Sequence, residues 1–299
     1  MSHVAAVDIG GTKISVAAVS SDGTLGTSRT VRTPTAEGPA AILDTVSALV
    51  RGLGEVGAVG VGSAGVVDPR TGAVHSATAA IPGWAGTRLR EELTRRLGIP
   101  AVVVNDVHAH ALGEYRCGAA HRRSPVLFVA AGTGVGGSVV LDGRVVQGAH
   151  GAAGHVGHVP VAAAAGRSCA CGGSGHVEAV SSGPAMTAEY ARHSGRAVAG
   201  LEDVVVAAEG GDRVAAAVIV AGAAALGSAI GGLANVVDPE IVVVGGGATR
   251  CGTAWWDALH AATQAELLPV LAGLDVVPAR LGADAALVGA GELAWGVLG

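Results

Sequence analysis

Val4-Ala-Ala-Val-Asp8-Ile-Gly-Gly-Thr-Lys13-Ile-Ser-Val-Ala-Ala-Val19 is the stretch of this 299-residue chain that decides its fold. Two runs of β-branched and small apolar residues flank a glycine turn, which predicts a strand, a tight turn and a second strand. A further turn is indicated at Asp22-Gly23, because an Asp-Gly pair after an apolar run is typical of a strand end. The stretch therefore predicts a pair of strands at the start of an α/β domain.

The same order of elements recurs in Val126-Leu-Phe-Val-Ala-Ala-Gly132-Thr-Gly134-Val-Gly136-Gly-Ser-Val-Val-Leu-Asp142-Gly143. Two such units, far apart in one chain, indicate two related α/β domains that face each other. We expect residues 1–117 to form the first domain, completed by a helix at the C-terminus, residues 285–299. We expect residues 118–284 to form the second, which would contain a loop at residues 155–178.

Apolar runs and helical spacing predict further elements between and after these units. Buried strands are expected at residues 58–62 and 101–104 and a helix at 88–97, which gives the first domain the order β-β-β-α-β. In the second domain, helices are expected at residues 186–193 and 214–237, and a strand at 240–245 that ends in a glycine turn.

Three glycine turns follow apolar strands, at residues 8–13, 132–134 and 245–247. Such turns can aim backbone N–H groups and a hydroxyl at one point and so form an anion cradle, although neither of the first two matches the GxxxxGK[ST] loop. We expect them to hold the β- and γ-phosphates, the triphosphate tail and the adenosine of a nucleotide, respectively. Each turn taken alone is weak evidence, because glycine-rich β-turns are commonplace.

Two carboxylates stand where strands are expected to end. Asp8 could orient a magnesium ion, which takes few carboxylates and keeps several waters; the alternative is an aspartate that caps a turn. Asp106 follows Val102-Val-Val-Asn105 and is the candidate base that accepts a hydroxyl proton during phosphoryl transfer. The alternative is that Asn105-Asp106 only signals a turn.

A glycine-rich segment concentrates metal-binding side chains. His158, Cys169, Cys171 and His176 have the residue types and spacing of a tetrahedral zinc site, and glycines between them let the backbone curl round one ion. Because all four ligands would be protein groups, the site would be structural rather than catalytic. His155 and Glu178 would remain available for other contacts. The alternative is a loop with ordinary cysteines and solvated histidines.

The composition limits the class of protein. Half of the residues are hydrophobic, which permits a large core. A net charge of −5 argues against a nucleic-acid partner. The N-terminus has no pattern of a secretion signal and cysteines are few, so we expect a cytoplasmic protein. The uncharged run at residues 214–234 is rich in Ala and Gly and predicts a buried, closely packed helix rather than a membrane span.

Taken together, these motifs resemble the ROK family, which comprises repressors, uncharacterised reading frames and sugar kinases of the actin-like ATPase superfamily. The motifs occur in the family's order over almost the whole chain: residues 8–13, Asn105-Asp106, residues 132–137, Gly154-x-x-Gly157-His158, the Cys-x-Cys loop and residues 245–247. The resemblance implies a two-domain actin-like ATPase fold, related to ribonuclease H, with an interdomain cleft. It also implies a homodimer and ATP-dependent phosphorylation of a sugar hydroxyl, with magnesium, with Asp106 as base and with zinc shaping the sugar pocket.

The resemblance assigns binding residues position by position. The sugar would contact Gly65, Thr78, Asn105, Asp106, Gly134, His155, His158 and Glu178. The nucleotide and its magnesium would be bound by Asp8, Gly10, Gly11, Thr12, Lys13, Thr133, Gly245 and Gly246. Because the first strand is expected from residue 4, we expect no winged helix of the kind that the family's repressors carry.

Two residues depart from the usual pattern of the family. His176 stands where the zinc loop usually has its third cysteine, which leaves the geometry of the metal site open. His155 stands where the family's glucokinases and fructokinases have glutamate, and it resembles the Gly-His-x-Gly-His motif of bacterial N-acetylmannosamine kinases. We therefore expect phosphorylation of the 6-hydroxyl of N-acetylmannosamine, with glucose or another hexose as the alternative. From a different class, a catalytically silent sugar sensor remains possible.

Overall fold

The computed structural model describes residues 3–77 and 80–299. The chain divides into two compact units, each containing strands and helices, which agrees with the predicted α/β class. The first unit comprises the chain up to Arg123 together with Val139–Ala153 and Arg280–Gly299, and the second comprises Ser124–Ser138 and Gly154–Ala279.

The first unit is built on a five-stranded sheet of order β3-β2-β1-β4-β7. Strands β1 and β2 form the predicted antiparallel pair, whereas β1, β4 and β7 are parallel. In chain order its elements are β1 (Val4–Ile9), β2 (Lys13–Val19), β3 (Arg29–Arg32), α1 (Pro39–Arg51), β4 (Val59–Ser63), β5 (Val66–Val67), β6 (Val74–Ser76), α2 (Leu89–Leu97), β7 (Ala101–Asn105) and α3 (Asp106–Cys117).

The predicted order β-β-β-α-β omitted several elements of this unit, most notably β3 and α1. Helix α1 buries Ile42, Leu43, Val46 and Val50, a helical spacing that the sequence does carry, and Pro39 lies in its first turn. Strand β3 is a short, mostly exposed edge strand with two arginines. It has no apolar alternation, so only its pairing with β2 defines it.

The second sheet has the order β10-β9-β8-β11-β12, and β8, β11 and β12 are parallel. The remaining elements are β8 (Val126–Ala131), β9 (Val135–Leu141), β10 (Arg144–Val145), α4 (Glu178–Ser181), α5 (Gly183–Ser194), α6 (Leu201–Glu209), α7 (Arg213–Val237), β11 (Ile241–Gly245), α8 (Thr253–Glu266), β12 (Asp275–Pro278) and α9 (Ala285–Leu298). One-turn 3-10 helices at Val156–His158 and Ala162–Ala164 punctuate the segment between β10 and α4.

One segment lies in a different unit from the one expected. The sequence predicts that residues 139–153 belong to the second domain, but in the structure they pack with the first unit. There His108 Nε2 lies 3.1 Å from the carbonyl oxygen of Ala153, and a Cβ built on Gly151 would lie 2.1 Å from the carbonyl oxygen of Val67. The strand-turn-strand pattern predicts the elements of this segment correctly but carries no information about which neighbours they contact.

Helix α7 contains the long uncharged run at residues 214–234. By length and composition it could cross a bilayer, since its most apolar window has a mean hydropathy of 2.1, but 61% of that window is buried within the protein. It packs closely on α8, where a Cβ on Gly227 would lie 2.3 Å from the carbonyl oxygen of Leu259. The small residues therefore serve helix packing, as the sequence predicted.

Helices α3 and α9 contact each other backbone to backbone within the first unit. A Cβ built on Gly113 would lie 2.0 Å from the carbonyl oxygen of Ala285, and one on Gly289 would lie 1.9 Å from that of Ala109. The approach is reinforced by Glu114, which is fully buried. Its Oε2 accepts the N–H of Ala119 at 2.7 Å, and its Oε1 accepts those of Arg280 and Leu281 at 2.9 and 2.8 Å.

Replacing Gly289 with alanine is therefore expected to lower the free energy of unfolding by about 1–3 kcal/mol, because the new methyl group must separate the two backbones. The matched control is Gly296→Ala on the same helix, where a Cβ would meet nothing within 4 Å. There the free energy should stay unchanged or rise by up to about 1 kcal/mol, from helix propensity. Urea unfolding of both variants measures the difference, and equal stabilities would contradict the close contact.

Candidate active site

Two carboxylates lie at one edge of the first sheet. The strand register pairs Asp8 with Gly62, and the next residue of that strand, Ser63, pairs with Asn105. A Cβ built on Gly62 would lie 3.4 Å from the Cα of Asp106 and 3.9 Å from Oδ1 of Asp8. The parallel strands therefore bring both candidate acids to the same carboxyl-terminal edge, on either side of a glycine.

Helix α3 begins at Asp106, and Asn105 is its N-cap. The Oδ1 atom of Asn105 accepts the N–H of Val107 at 2.9 Å, and its Nδ2 donates to the carbonyl oxygen of Gly65 at 2.9 Å. Asp106 Oδ1 also lies 2.9 Å from the nitrogen of Val107. Asparagine caps helices well because its side chain satisfies an otherwise unpaired N–H. The cap fixes Asp106 in the first turn and joins it to the predicted sugar contacts Asn105 and Gly65.

Burial and a neighbouring carboxylate raise the pKa of Asp106 to about 6. Desolvation is the larger cause and the charge of Asp8 the second, while His110 and the hydrogen bonds from Val107 and Asn105 oppose them. The pKa of Asp8 is likewise raised by burial, against the charges of His110 and Lys13. An acid with this pKa is a stronger proton acceptor than an ordinary aspartate and is still mostly ionised at neutral pH.

His110 is a member of this group that the sequence analysis did not single out. It lies four residues after Asp106, hence on the same face of α3, and its Nδ1 donates to the carbonyl oxygen of Asp106 at 2.9 Å. The sequence signal that could have identified it is its position, four residues after the candidate base Asp106.

The turn between β1 and β2 closes on itself. The N–H of Gly10 donates to the carbonyl oxygen of Lys13 at 3.0 Å, and Thr33 Oγ1 donates to that of Gly10 at 2.7 Å. Thr12 and Lys13 are exposed, so the hydroxyl and the ammonium are accessible. The turn has the donors and the positive charge that an anion requires.

The other two glycine turns are neighbours in the second unit. Strands β8 and β11 pair in parallel with Ala130 opposite Gly245, which places both turns at one edge of that sheet. A Cβ built on Gly246 would lie 2.2 Å from the carbonyl oxygen of Ala131, and one on Gly132 would lie 3.7 Å from the nitrogen of Gly247. Thr133, in the turn at residues 132–134, is exposed.

The four predicted metal ligands converge. One ligand atom from each of His158, Cys169, Cys171 and His176 lies within 4.8 Å of all the others. Cys169 Sγ is 3.8 Å from His158 Nδ1, and Cys171 Sγ is 3.2 Å from His176 Nδ1. Tetrahedral zinc with Zn–S near 2.3 Å and Zn–N near 2.0–2.1 Å requires about 3.6 Å between such atoms. The donor set and the distances therefore fit zinc, with His176 in the place of a cysteine.

The segment that contains His155 and His158 packs closely against β9 at two glycines. A Cβ on Gly154 would lie 2.6 Å from the carbonyl oxygen of Gly137, and one on Gly157 would lie 2.0 Å from that of Val135. The two imidazole rings lie with their centroids 6.1 Å apart. The Gly-x-x-Gly-His pattern is therefore required by a close backbone approach.

Glu178, the first residue of α4, joins the metal cluster to the second glycine turn. Its Oε2 accepts the N–H of Val135 at 2.8 Å, and its Oε1 lies 3.8 Å from Cys169 Sγ. A Cβ on Gly134 would lie 2.7 Å from the same Oε2. Glu178, Gly134 and the metal ligands thus form one group.

The predicted site residues therefore form groups within each unit. The first unit contains Asp8, Gly10, Gly11, Thr12, Lys13, Gly65, Asn105 and Asp106, and the second contains Thr133, Gly134, His155, His158, Cys169, Cys171, His176, Glu178, Gly245 and Gly246. Thr78 lies outside the described residues.

Comparison with known proteins agrees with these motifs. Residues 4–296 match the ROK family. The N-acetylmannosamine kinase of Escherichia coli O157:H7 is 34% identical, over 97% of this chain and 98% of its own length. The ROK hexokinase of Thermus thermophilus has a similar structure, with a TM-score of 0.90, 30% identity and 99% of each chain covered.

A ROK family glucokinase from Streptomyces griseus, solved with glucose and AMPPNP, has a TM-score of 0.82 and 31% identity, with 98% of this chain and 99% of that chain covered. The similarity to an N-acetylmannosamine kinase and to a glucokinase is thus of nearly the same degree. The chain belongs to the ROK family and has the actin-like ATPase fold that its motifs predicted.

Proposed function

We propose that this protein is an ATP-dependent sugar kinase that transfers the γ-phosphoryl group to the 6-hydroxyl of N-acetylmannosamine. The observation that carries the proposal is the half-buried Asp106, held at the start of α3 with its pKa raised to about 6. Glucokinase or another hexose kinase of the family is the alternative, supported by the similarity to a glucokinase.

In this mechanism Asp106 accepts the proton of the sugar hydroxyl as the oxygen attacks phosphorus. Phosphoryl transfer otherwise requires mainly positioning and charge neutralisation. Asn105 contributes positioning, because its amide is held between Val107 and Gly65 and fixes the first turn of α3. A base with a fixed side chain reacts without first losing rotational freedom.

The glycine turns are the proposed nucleotide contacts. Thr12 and Lys13 would donate to the phosphates from the first turn, Thr133 from the second, and Gly245 and Gly246 would approach the adenosine. Asp8 would orient the magnesium ion, which neutralises phosphate charge when bound. The raised pKa of Asp8 fits this role, since burial disfavours its charge in the absence of a cation.

The proposed role of zinc is to hold the sugar-binding side chains. His158 Nδ1 faces Cys169, so the metal would take this nitrogen and leave the other ring nitrogen for the sugar. Glu178 is held by the N–H of Val135. Both side chains would then be fixed before the sugar binds, which reduces the ordering cost of binding.

His155 is the proposed selector of the sugar. A carboxylate only accepts hydrogen bonds and suits the hydroxyls of glucose, whereas neutral imidazole donates or accepts and brings no charge toward an axial acetamido group. The alternative is that the histidine reflects neutral drift or a different sugar.

A silent sugar sensor is the competing function of a different class. A sensor needs no base, so the presence of a half-buried Asp106 with a raised pKa favours an enzyme. We further propose a cytoplasmic homodimer that binds neither nucleic acid nor membranes. The chain has four cysteines and none of them forms a disulfide, which supports a reducing compartment.

Asp106→Asn is expected to lower kcat by about 10²–10⁴-fold, since the proton acceptor is lost. The wild-type kcat/KM should fall as the pH drops through about 6, where Asp106 becomes protonated. The pKa of Asp106 is higher in the folded protein than in the unfolded chain, so the native protein holds this proton more tightly. The contribution of Asp106 to the free energy of unfolding is therefore lost as the pH rises from about 4 to 6.

The same variant should therefore be more stable than the wild type above pH 6, on the order of 1–3 kcal/mol, with the gap closing towards pH 4. Steady-state kinetics and urea unfolding across this pH range measure both effects. Asp257→Asn, at an exposed position of α8, is the control. A kcat of Asp106→Asn equal to that of the wild type would show that Asp106 is not the base.

Because four candidate ligands converge, we expect purified protein to contain one zinc ion per chain. Cys171→Ser and His176→Ala should each weaken zinc binding at least about tenfold and lower the melting temperature, whereas His176→Cys should retain the ion because thiolate is an equally good ligand. Cys117→Ser, outside the cluster, is the control. Metal analysis together with a chelator titration checks this, and stoichiometric zinc in Cys171→Ser would contradict the ligand set.

A coupled ADP-release assay across glucose, mannose, fructose, N-acetylglucosamine and N-acetylmannosamine tests the substrate. The highest kcat/KM is expected for N-acetylmannosamine. His155→Glu should shift the ratio of glucose to N-acetylmannosamine turnover at least about tenfold towards glucose, equal to roughly 1.4 kcal/mol. His150→Glu, at an exposed position, is the control.

Unchanged preference in His155→Glu would exclude that residue as the selector. A wild type that prefers glucose would favour the glucokinase alternative, and no ADP release with any sugar would refute the kinase.

A further inference from the structure

A cavity of about 480 Å³ opens in the second unit, apart from the residues assigned to sugar and nucleotide. Its walls are formed by the 3-10 turn at Ala162–Ala164, by α4, by α5 and by the N-terminal half of α7. They are mostly apolar and include Ala163, Val180, Ala185, Val214, Ala217 and Val218. This volume and lining are those of pockets that bind small organic molecules.

The charged side chains at its rim are Arg167, Glu189, His193 and Arg213. Glu189 is saturated, because Arg167 donates to both of its oxygens, at 2.7 and 2.9 Å, and Arg192 and His193 also contact it. The pKa of Glu189 is accordingly held well below its usual range, chiefly by Arg167. The one acidic group at the rim is therefore neutralised by its own neighbours.

Arg213 differs from the other rim cations. Among residues 3–77 and 80–299 it has no hydrogen-bonded or ion-paired partner. It lies in the first turn of α7, next to the apolar wall formed by Val214 and Ala217. A guanidinium so placed offers a two-pronged donor to a carboxylate whose apolar body enters the cavity.

We propose that this cavity binds a small aliphatic carboxylate, with its chain against α7 and its charged group on Arg213. The cavity matches such a molecule in charge and in polarity. Its rim has an excess of positive charge for the carboxylate, and its interior has few polar atoms and so suits the aliphatic chain. A neutral or cationic molecule of the same length would lose the contact with Arg213.

The cavity also shares its walls with the metal loop and with α4. Val180 belongs to the helix that begins at Glu178, and Ser181 Oγ donates to the carbonyl oxygen of Gly222, which lines the same cavity. Arg167 precedes the ligand Cys169 by two residues. A bound carboxylate therefore contacts two segments that carry proposed sugar-site residues, and we expect it to change the KM for the sugar. This second step rests on the proposed function.

The binding test uses hexanoate, hexanamide and hexylammonium, which share one apolar body and differ in charge. Isothermal titration calorimetry on the full-length protein should show hexanoate binding about fivefold or more tightly than the other two. Arg213→Gln should remove the difference. Ala217→Trp should fill the cavity and abolish binding, whereas Ala216→Trp, one residue away on α7 and outside the lining, should leave it intact.

Equal affinity for the three probes, or binding that survives Ala217→Trp, would overturn the site. A wild type that is dimeric and becomes monomeric in Ala217→Trp, with no hexanoate binding, would also overturn it and assign the face to an interface between copies. Calorimetry needs no turnover, so hexanoate binding in a protein inactive on every sugar would refute the kinase and not the site. Hexanoate binding without a change in the KM of an active enzyme would overturn the regulatory step alone.

Discussion

The direct contact between the backbones of α3 and α9 is the constraint on which the first unit depends. Gly113 and Gly289 leave no room for a side chain between the two helices, and Gly60 of β4 faces the carbonyl oxygen of Ala290 in the same way. Because α3 is held so closely, its first residue, Asp106, is fixed at the end of β7, beside Asp8. Packing of small residues thus determines where the acid groups meet.

This arrangement sets stability against activity at one edge of a sheet. Two half-buried carboxylates lie there side by side; desolvation raises the pKa of both, and the charge of Asp8 raises that of Asp106 further. In the second unit the corresponding feature is the group of four candidate metal ligands, which converge in a segment that has little regular structure beyond one-turn helices. A metal ion bound there, as proposed, would compensate for the few apolar contacts that glycine and alanine can make.

The sequence predicted the elements whose signals are local. The strand–glycine turn–strand patterns, the strand before Asn105-Asp106 and helices α5 and α7 follow from spacing within a few residues. The convergence of His158, Cys169, Cys171 and His176 was predicted from residue types within one short glycine-rich segment. It failed for β3, which only its partner strand defines, and for residues 139–153, whose neighbours lie far away in the chain. His110 and Glu114 were missed for a related reason, because their importance arises from groups that the fold, rather than the sequence, brings to them.

The position of α9 in the chain has a consequence for biosynthesis. Its residues are made after those of the second unit, yet Ala286, Ala290 and Ala294 are buried within the first unit, and Glu114 accepts the N–H groups of Arg280 and Leu281. Domains generally fold in the order in which they leave the ribosome. Here the N-terminal part of the first unit must wait, with an uncovered apolar groove and a buried carboxylate lacking two of its donors, until residues 280–298 have been synthesised. The emerging chain is thus exposed to chaperones and proteases for the whole time that the second unit is being synthesised.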